Sequence, residues 1–383
     1  MNLTREISAY IKDHRQEAFD LLITLAQIPA PSHQEELRAA FCLNWLKQQG
    51  AETVYIDEAR NVIYPIGCTD SNPLMVFMAH SDVVFPDTTP LPLFVSDGKI
   101  HCPGVGDDTA NVVALLMAAK YITEKKLCPK DCGILLVVNS CEEGLGNLKG
   151  CRKIAEAFGH RIREFVTFDA GVYTVINQAV GSRRYKIEID TEGGHSYGCF
   201  GKPNAIASLA SLIDDLYTVR VPSLGKTTYN VGTITGGTSV NTIAQHAEML
   251  YEFRSDNRKA LDMMEDSFRN ILAAHRKDGV EITVTPVGDR PCSGDVDVTA
   301  EELLSRRAAR AVLDAFGHEP EFGAGSTDCN IPLSMGIPAV CIGCANGGGA
   351  HTREEFVYID SLEPGLNLAF SMILHHFQDG IRP

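Results

Sequence analysis

The sequence predicts an α/β protein whose mostly parallel sheet is flanked by helices and carries an inserted ferredoxin-like domain. Three short runs, 74–79, 133–139 and 164–168, are continuously apolar and rich in β-forming residues, as in strands buried on both faces. The stretch 109–126, between the first two, has helical periodicity. Because parallel strands require such crossover connections, this order favours a sheet covered by helices on both faces.

Further elements continue this pattern on either side of the insert. Apolar residues recur at helical spacing before the first strand, and a helix, a strand and a helix follow the insert. One of these helices ends on Gly50, a residue type common just after helix ends. The predicted helices are 17–28, 35–50, 299–317 and 366–377, and the additional strand is 338–343.

The middle of the chain has a different order of elements. From Arg184 it reads strand, helix, strand, strand, helix, strand, which is the βαββαβ order of a ferredoxin-like unit. We therefore predict one domain formed by 1–183 and 292–383, with a second domain, 184–291, inserted into it. The six segments are 184–189, 203–217, 229–234, 247–253, 258–275 and 280–287.

Composition excludes several classes of protein. The chain has 383 residues and a net charge of −15, so it repels phosphate backbones and nucleic acid is not expected as a partner. No apolar run approaches the roughly 18 residues of a membrane span. The first residues mix charges and lack the apolar core of a secretory signal, so we expect a cytoplasmic protein.

The twelve cysteines are scattered along the chain, which indicates reduced thiols rather than a disulfide framework. The segment CIGC, from Cys341 to Cys344, would also fit thiol redox or zinc chemistry. It lies inside an apolar run without a second such motif, so core packing is the better interpretation.

Imidazole and carboxylate side chains stand at or after the ends of four predicted strands and at the start of one predicted helix. In a doubly wound sheet, ligands bind outside the carboxyl ends of the strands. Each residue alone has an ordinary explanation, such as a helix cap for Asp107 or Asp108, or a solvated loop position. The set comprises His80, Asp82, Asp107, Asp108, Glu142, Glu143, Asp169 and His351.

Taken together, these residues predict a site for two metal ions. So many carboxylates repel one another unless cations lie among them. Oxygen and imidazole donors suit zinc, with manganese or cobalt as alternatives. Two divalent ions also balance the charge of three carboxylates and one hydroxide.

Five motifs in this order resemble the di-zinc exopeptidase and deacylase superfamily: AHSDVV, GVGDDTAN, CEEGLG, FDAG and GAHTREE. Its members include peptidase T, glutamate carboxypeptidase, aminoacylase, acetylornithine deacetylase and succinyl-diaminopimelate desuccinylase. The segments GGHSYG, GGTSVNTIA and GSTDCN fit as well, and the chain is most similar to the peptidase T branch. The resemblance implies a zinc-binding α/β domain with an inserted ferredoxin-like lid, through which a homodimer would form.

The resemblance also implies a role for each matching residue of the first domain. Asp82 would orient the imidazole of His80, because it lies two residues further on the same face of an extended chain. Glu142 would be the general base. Of the metal ligands, His80 and Asp169 would bind one zinc ion, Glu143 and His351 the other, and Asp107 both.

Substrate-binding residues are implied less directly. His195 of GGHS would donate to the oxyanion, reaching across the dimer, or else is a turn histidine between glycines. Asn241 and Arg254 would hold the substrate's backbone or carboxylate. An ion pair with Glu252 or Asp256 explains Arg254 equally well. Asp328 and the glycines 347–349 would line the pocket.

The expected activity is hydrolysis of an amide bond in a short peptide by a metal-activated water, as in a peptidase T-like aminopeptidase of di- or tripeptides. A carboxypeptidase or an N-acyl amino acid deacylase would use the same chemistry. A non-catalytic metal- or peptide-binding protein on this scaffold would not need Glu142. The loop around the bridging Asp departs from the family pattern at Val105, before it, and at Thr109, after the Asp pair, which leaves substrate preference open.

Overall fold

The protein is described by a computed structural model, which covers residues 2–377 and 381–382. The chain divides into two compact units. One comprises Met1–Ala179 and Gly294–Pro383, and the other is Val180–Ser293. The predicted domain boundaries lie within four residues of these limits.

The first unit is built on an eight-stranded sheet. Its four central strands are parallel, and antiparallel pairings occur towards both edges. The mixed α/β sheet therefore matches the predicted fold class. In spatial order the strands are Glu321–Gly325, Thr174–Ala179, Ala339–Ile342, Ile162–Phe168, Leu74–His80, Gly133–Asn139, Val62–Ile66 and Tyr55–Ile56.

Helices cover this sheet because their apolar side chains need a surface to pack on. The helix Ala110–Glu124 is buried from Ala110 through Ile122 and contacts the strand Leu74–His80 and the helix Leu362–Leu374. The helices of this unit are Arg5–Asp13, Arg15–Ala26, Glu36–Gln48, Ala110–Glu124, Lys149–Phe158, Val298–Phe316, Asn330–Ser334 and Leu362–Leu374.

A second, four-stranded antiparallel sheet of this unit was not predicted, because its strands are only two or three residues long. The turn that carries His351 joins two of them. In spatial order these strands are Gly347–Gly348, Phe356–Tyr358, Lys99–His101 and Phe94–Ser96. The terminal strands Asn2–Leu3 and Ile381–Arg382 form a separate pair.

The second unit contains a four-stranded antiparallel sheet with two helices, Ala205–Leu216 and Arg258–His275. When the four strands are numbered by their order in the chain, their order across the sheet is 2-3-1-4. This is the ferredoxin-like arrangement. A short pair, Gly194–His195 with Thr242–Ile243, stands apart from the sheet. In spatial order the strands are Thr227–Gly236, His246–Ser255, Gly181–Thr191 and Val280–Arg290.

Among the residues described, none of the helices combines the length and the apolar character that crossing a bilayer requires.

Candidate metal centre and active site

The predicted metal ligands of the first unit lie together at the carboxyl ends of the central strands. His80 is the last residue of its strand, and Asp169 directly follows another. Ligand atoms of His80, Asp107 and Glu143 lie within 4.8 Å of one another, as do those of His80, Asp108 and Asp169. His351 joins the cluster, since its Nε2 is 3.1 Å from both Asp107 Oδ2 and Glu143 Oε1. Residues distant in sequence thus form one cluster.

Asp107, rather than Asp108, faces both histidines. Asp107 Oδ1 is 3.0 Å from His80 Nε2, and its other oxygen is the one near His351. Asp108 is fully buried and accepts hydrogen bonds from the His80 amide and from Asn111. Only the first aspartate therefore has its two oxygens directed at two different imidazoles, as a bridging ligand requires. The peptide bond between the two aspartates is cis.

The loop that carries Asp107 is held by Glu355, which the sequence did not single out. The Glu355 carboxylate accepts hydrogen bonds from the amides of Gly104, Gly106 and Asp107 at 2.7–2.8 Å. Burial raises the pKa of Glu355 to about 7, although these amide hydrogen bonds favour the charged form. The only sequence signal was its place at the end of the GAHTREE motif.

Asp82 holds the turn that carries the two glutamates. Its carboxylate accepts hydrogen bonds from the amides of Glu142 and Glu143, at 2.9 and 3.0 Å, and from Ser32 Oγ. His80 Nδ1 is 3.0 Å from the Asp82 carbonyl oxygen and 3.6 Å from its carboxylate. The main contact to the imidazole is thus the backbone of Asp82 and not, as predicted, its side chain.

A second buried carboxylate supports the same turn from the other side. Glu35 is fully buried, and its Oε1 accepts hydrogen bonds from the amide and the thiol of Cys141. Cys141 has a φ of 56°, which a non-glycine residue adopts only when its surroundings enforce it. Glu35 was missed because its partner is 106 residues away in the chain.

The departures from the family pattern are accommodated by a buried arginine. Thr109 donates to the Gly104 carbonyl and accepts from Arg38 Nη1 at 3.1 Å. The same Arg38 nitrogen donates to the carbonyl of Ser81, next to His80. The fully buried Arg38 guanidinium therefore places a positive charge beside the metal-ligand loop.

The electrostatics of the cluster show why cations fit it. Burial and the neighbouring Asp107 carboxylate raise the pKa of Asp169 to about 6. Burial also raises the pKa of Glu143. The pKa of His351 is raised to about 10 by hydrogen bonds with Asp107 and Glu143. Carboxylates this close and this buried are costly alone, whereas divalent cations would offset their charge.

Asp328 lies beneath the cluster rather than on its surface. It has no exposed area, and its Oδ2 accepts a hydrogen bond from Asn139. Burial, followed by the charge of Glu142, raises its pKa well above the usual range. The predicted contact with substrate is therefore not supported, because a fully covered side chain offers substrate no surface.

A cavity of about 220 Å³ opens next to Asp107. Two of the predicted glycines line it, together with the acidic residues Asp107 and Glu355. Tyr173 and Asn346 line it as well, and Asn346 donates to the Tyr173 hydroxyl at 3.3 Å. No lysine or arginine is among the described residues that line it. The lining residues are Gly106, Asp107, Ala170, Gly171, Tyr173, Ala345, Asn346, Gly347, Gly348, Ala350, Glu355, Phe356 and Val357.

In the second unit, His195 and Asn241 lie close together. The short strand that ends at His195 pairs with the strand Thr242–Ile243, which directly follows Asn241. The Ser196 amide also donates to the Asn241 carbonyl. The imidazole Nδ1 of His195 accepts from the amides of Tyr197 and Gly198 at 3.2 and 3.3 Å. The ring proton must then be on Nε2, which makes that nitrogen a donor.

Arg254 lies at the opposite end of the same sheet. Arg254 pairs with Ser182 of the neighbouring strand. Towards the other end of the same two strands, which is the end nearest His195, Asp190 pairs with His246. The Arg254 guanidinium donates to both oxygens of Glu252, at 2.8 and 3.0 Å. The structure thus contains the ion pair that was the alternative explanation for this arginine.

Two other features of the sequence or the surface are better explained without metal or redox chemistry. Glu188, His246 and Glu248 form a third group of suitable donors, but Lys186 Nζ lies 2.8 Å from both carboxylates and already offsets part of their charge. The thiols of Cys341 and Cys344 are buried, which favours core packing over redox activity.

The fold and the donor set together define a metal-dependent hydrolase. The chain belongs to peptidase family M20/M25/M40, whose sequence profile matches residues 76–375. It is 25% identical over 372 residues to a putative succinyl-diaminopimelate desuccinylase of Mycobacterium tuberculosis, covering 93% of this chain and 98% of that protein.

Two solved structures share the fold. An aminopeptidase from Bacillus cereus is 20% identical with a TM-score of 0.70, covering 94% of this chain and 98% of its own. A dinuclear metal binding peptidase of family M20 from Bacillus subtilis is 17% identical, with a TM-score of 0.61. The match covers 95% of this chain and 99% of that one.

Proposed function

We propose that this hydrolase is a peptidase T-like aminopeptidase that cleaves di- or tripeptides with two metal ions. The observation that carries the proposal is the cluster itself. Two imidazoles and three carboxylates from five separate segments form two groups of close ligand atoms that share His80, and Glu142 directly precedes one of the carboxylates, Glu143, in the chain. A protein that only bound peptides would not need such a cluster.

His80 and Asp169 would hold one ion, Glu143 and His351 the other, and Asp107 both. The donor set suits zinc, with manganese or cobalt as alternatives. When bound, such ions lower the pKa of a water molecule and polarise the amide carbonyl.

Glu142 is proposed as the general base. Its amide is fixed by Asp82, so its side chain leaves a defined point of the turn next to Glu143. A carboxylate in this position takes a proton from the attacking water and returns it to the nitrogen of the leaving amine. Glu143 cannot do this while its own carboxylate ligates a metal.

His195 is proposed as the donor that stabilises the oxyanion. Its Nδ1 already accepts two backbone amides, so its Nε2 proton is available to a developing negative charge. The side chain of Asn241, on the neighbouring segment, would hold the substrate's backbone.

A homodimer through the second unit would complete the site. Eight residues of strand separate the Arg254 end of the sheet from the His195 end, a distance of ~26 Å. A tripeptide spans at most ~10 Å, so within one chain it cannot contact both. Tyr197, Phe200 and Val240 are each at least 90% exposed, as expected for residues that another chain covers.

Arg254 would still bind the substrate's carboxylate if substrate displaced Glu252. The cavity beside Asp107 would disfavour an anionic substrate side chain, since Asp107 and Glu355 line it and no lysine or arginine is among its described lining residues.

A deacylase of N-acyl amino acids is the second candidate. The observation in its favour is the similarity to a putative desuccinylase of Mycobacterium tuberculosis and to an N-acetyldiaminopimelate deacetylase of Bacillus pumilus. The same metal ions and the same base would serve both reactions.

A substrate panel tests the proposal. The purified protein is assayed on tripeptides, dipeptides, N-acetyl amino acids and N-succinyl amino acids, before and after treatment with a chelator. We expect hydrolysis of peptides with a free N-terminus, abolished by the chelator and restored by Zn²⁺, Mn²⁺ or Co²⁺. Hydrolysis of acylated substrates alone would establish the deacylase, and chelator-resistant activity would exclude the metal mechanism.

A further inference from the structure

We infer that Glu355 is a positioning residue. It holds Asp107 and His351 in the relative positions that the metal site containing His351 requires. The inference rests on the proposed function, because it takes Asp107, Glu143 and His351 as ligands of one ion. Nothing in the cluster requires Glu355 to touch metal or substrate itself.

The carboxylate of Glu355 ties together the loop that presents Asp107. Oε2 accepts the Gly104 amide, and Oε1 accepts the amides of Gly106 and Asp107. The carbonyl oxygen of Glu355 additionally accepts the Cys102 amide at 3.2 Å. Glu355 therefore contacts this loop through four hydrogen bonds, and one of them comes from the amide of the proposed ligand Asp107.

Glu355 is also connected to His351 by a short, hydrogen-bonded turn. Thr352 donates through its amide and its hydroxyl to the Gly349 carbonyl, at 2.9 and 2.7 Å. The Glu355 amide in turn donates to the Thr352 carbonyl at 3.4 Å. His351 is more than half exposed and has a φ of 63°, so packing alone does little to fix it. Its position relative to Asp107 depends on this turn and on Glu355.

Glu355 is not itself a suitable ligand. It is 2% exposed, and both of its oxygens are engaged by backbone amides. It therefore acts on a metal ion only through the residues that it holds in place. Such supporting hydrogen bonds around metal ligands are typically worth 10–100-fold in metal affinity.

The two metal sites should depend on Glu355 unequally. His80 is held by its own strand, by Asp108 and by the Asp82 carbonyl, and Asp169 follows another central strand. None of these contacts involves Glu355. Because Asp107 would hold both ions, removing the Glu355 carboxylate should weaken both sites. The site of His351 should lose more, since Glu355 supports two of its ligands, Asp107 and His351, and only one ligand of the other site.

The test is a Co²⁺ titration of the metal-depleted, full-length protein in competition with a chromophoric chelator. In the wild-type protein we expect two bound ions. In Glu355→Gln, an amide replaces one acceptor with a donor that faces the loop amides. We therefore expect the affinity of the His351 site to fall about 10–100-fold and the affinity of the other site to fall by a clearly smaller factor. Activity of the variant should return when the Co²⁺ concentration is raised.

Glu301→Gln is the matched control. Glu301 is a half-buried glutamate that, like the buried Glu355, accepts a hydrogen bond from a backbone amide, that of Ala339. Burial raises its pKa to about 7 as well. Ala339 begins its strand, at the end away from the cluster. Both Co²⁺ affinities of this variant should equal those of the wild type, even where its thermal midpoint shifts.

Gly106→Ala provides a second variant that keeps Glu355. A Cβ at Gly106 would lie 3.2 Å from Glu355 Oε1 and from Val357 Cγ1, which pushes the loop away from the carboxylate. We expect the same unequal loss, but smaller. This variant decides the question if Glu355→Gln does not fold.

The possible results distinguish a failure of this inference from a failure of the proposed function on which it rests. A wild-type protein that binds fewer than two ions removes the proposed ligand set and the inference with it. If the wild type binds two ions and the folded variants bind both as tightly, only the role of Glu355 is wrong. Equal weakening of both sites would also contradict it, since Glu355 supports His351 in addition to Asp107, and His351 belongs to one site only.

Discussion

Glu142 and Glu143 are adjacent in the chain and almost equally buried, at 5% and 6% exposure, yet we assign them different tasks. The reason is the geometry of single side chains. Glu143 Oε1 lies 3.1 Å from His351, within the ligand cluster. The amide of Glu142 is fixed by Asp82, and the Glu142 carboxylate belongs to neither group of candidate ligands.

The first prediction at this scale concerns the base. Glu142→Gln keeps the size of the side chain but cannot take a proton, so kcat should fall about 10²–10⁴-fold. KM and the bound metal should stay near wild-type values, because Glu142 is not a proposed ligand. Steady-state kinetics together with metal analysis measure both. Glu156→Gln, an exposed glutamate, is the control, and an unchanged kcat in Glu142→Gln would remove Glu142 as the base.

A second prediction concerns stability and pH through Glu301. Burial raises its folded-state pKa to about 7, above the ~4.3 of an exposed glutamate. The folded chain therefore holds a proton that the unfolded chain releases, so this contribution is present at low pH and is lost as the pH rises through about 7. Glu301→Gln should stabilise the protein at pH 8 by about 1 kcal/mol, discounted for its partial exposure, and hardly at pH 5.

Thermal midpoints from pH 5 to pH 8 measure this difference. At pH 8 the variant should melt about 2–4 °C above the wild type. The Ala339 amide still finds an oxygen acceptor in glutamine, so the gain is not offset by a lost hydrogen bond. A difference between the two proteins that does not vary with pH would show that Glu301 does not titrate in this range.

At the scale of elements, the active site depends on how short turns are anchored. The segment Ser140–Glu143 leaves the strand Gly133–Asn139 and is held by Asp82 on one side and Glu35 on the other. Neither anchor belongs to the turn itself. A turn with such long-range anchors keeps its shape only in the folded chain.

Asp82→Asn tests this anchor. Asparagine keeps one acceptor but turns an amide donor towards the backbone amides of the turn, so Glu142 and Glu143 should lose their fixed positions. We expect kcat/KM to fall about 10–100-fold and metal affinity to fall with it. Ser32→Ala, which removes only the hydroxyl that also bonds Asp82, should change both by far less. Equal effects of the two variants would count against the anchor.

At the scale of the whole molecule, the second unit separates residues that the sequence placed in one site. His195 and Asn241 lie at one end of its sheet and Arg254 at the other, ~26 Å apart. If one site uses both groups, two chains must contribute to it. This gives the proposed dimer a consequence that can be measured.

Mixing two inactive variants checks that consequence. Glu142→Ala and His195→Ala are each expected to be inactive, but a heterodimer would contain one site with both residues. After subunit exchange, about a quarter of wild-type activity should return, because half of the dimers are mixed and each has one complete site. Light scattering verifies the dimer. No recovery in a verified mixed dimer would place His195 in the site of its own chain or outside it.

The sequence alone predicted the four central strands of the large sheet, the longer helices and the chemical types of the ligands. The four outer strands of that sheet and the helices Arg5–Asp13, Lys149–Phe158 and Asn330–Ser334 were not predicted. The strands Leu74–His80 and Gly133–Asn139 follow from continuous apolar runs. The inserted βαββαβ order follows from the alternation of strand and helix patterns of apolar residues after Arg184. These features are local, because side-chain periodicity depends only on neighbours within a turn of helix or a few residues of strand.

The tertiary structure decided what these local patterns left open. It directs Asp107 rather than Asp108 at both histidines, buries Asp328, pairs Arg254 with Glu252, and uses Glu355 and Glu35 as anchors. Each of these outcomes depends on burial and on a hydrogen-bond partner that is mostly far away in the chain. The sequence records which groups can donate, accept or carry charge, but only the packed chain determines which of them meet and which are removed from water.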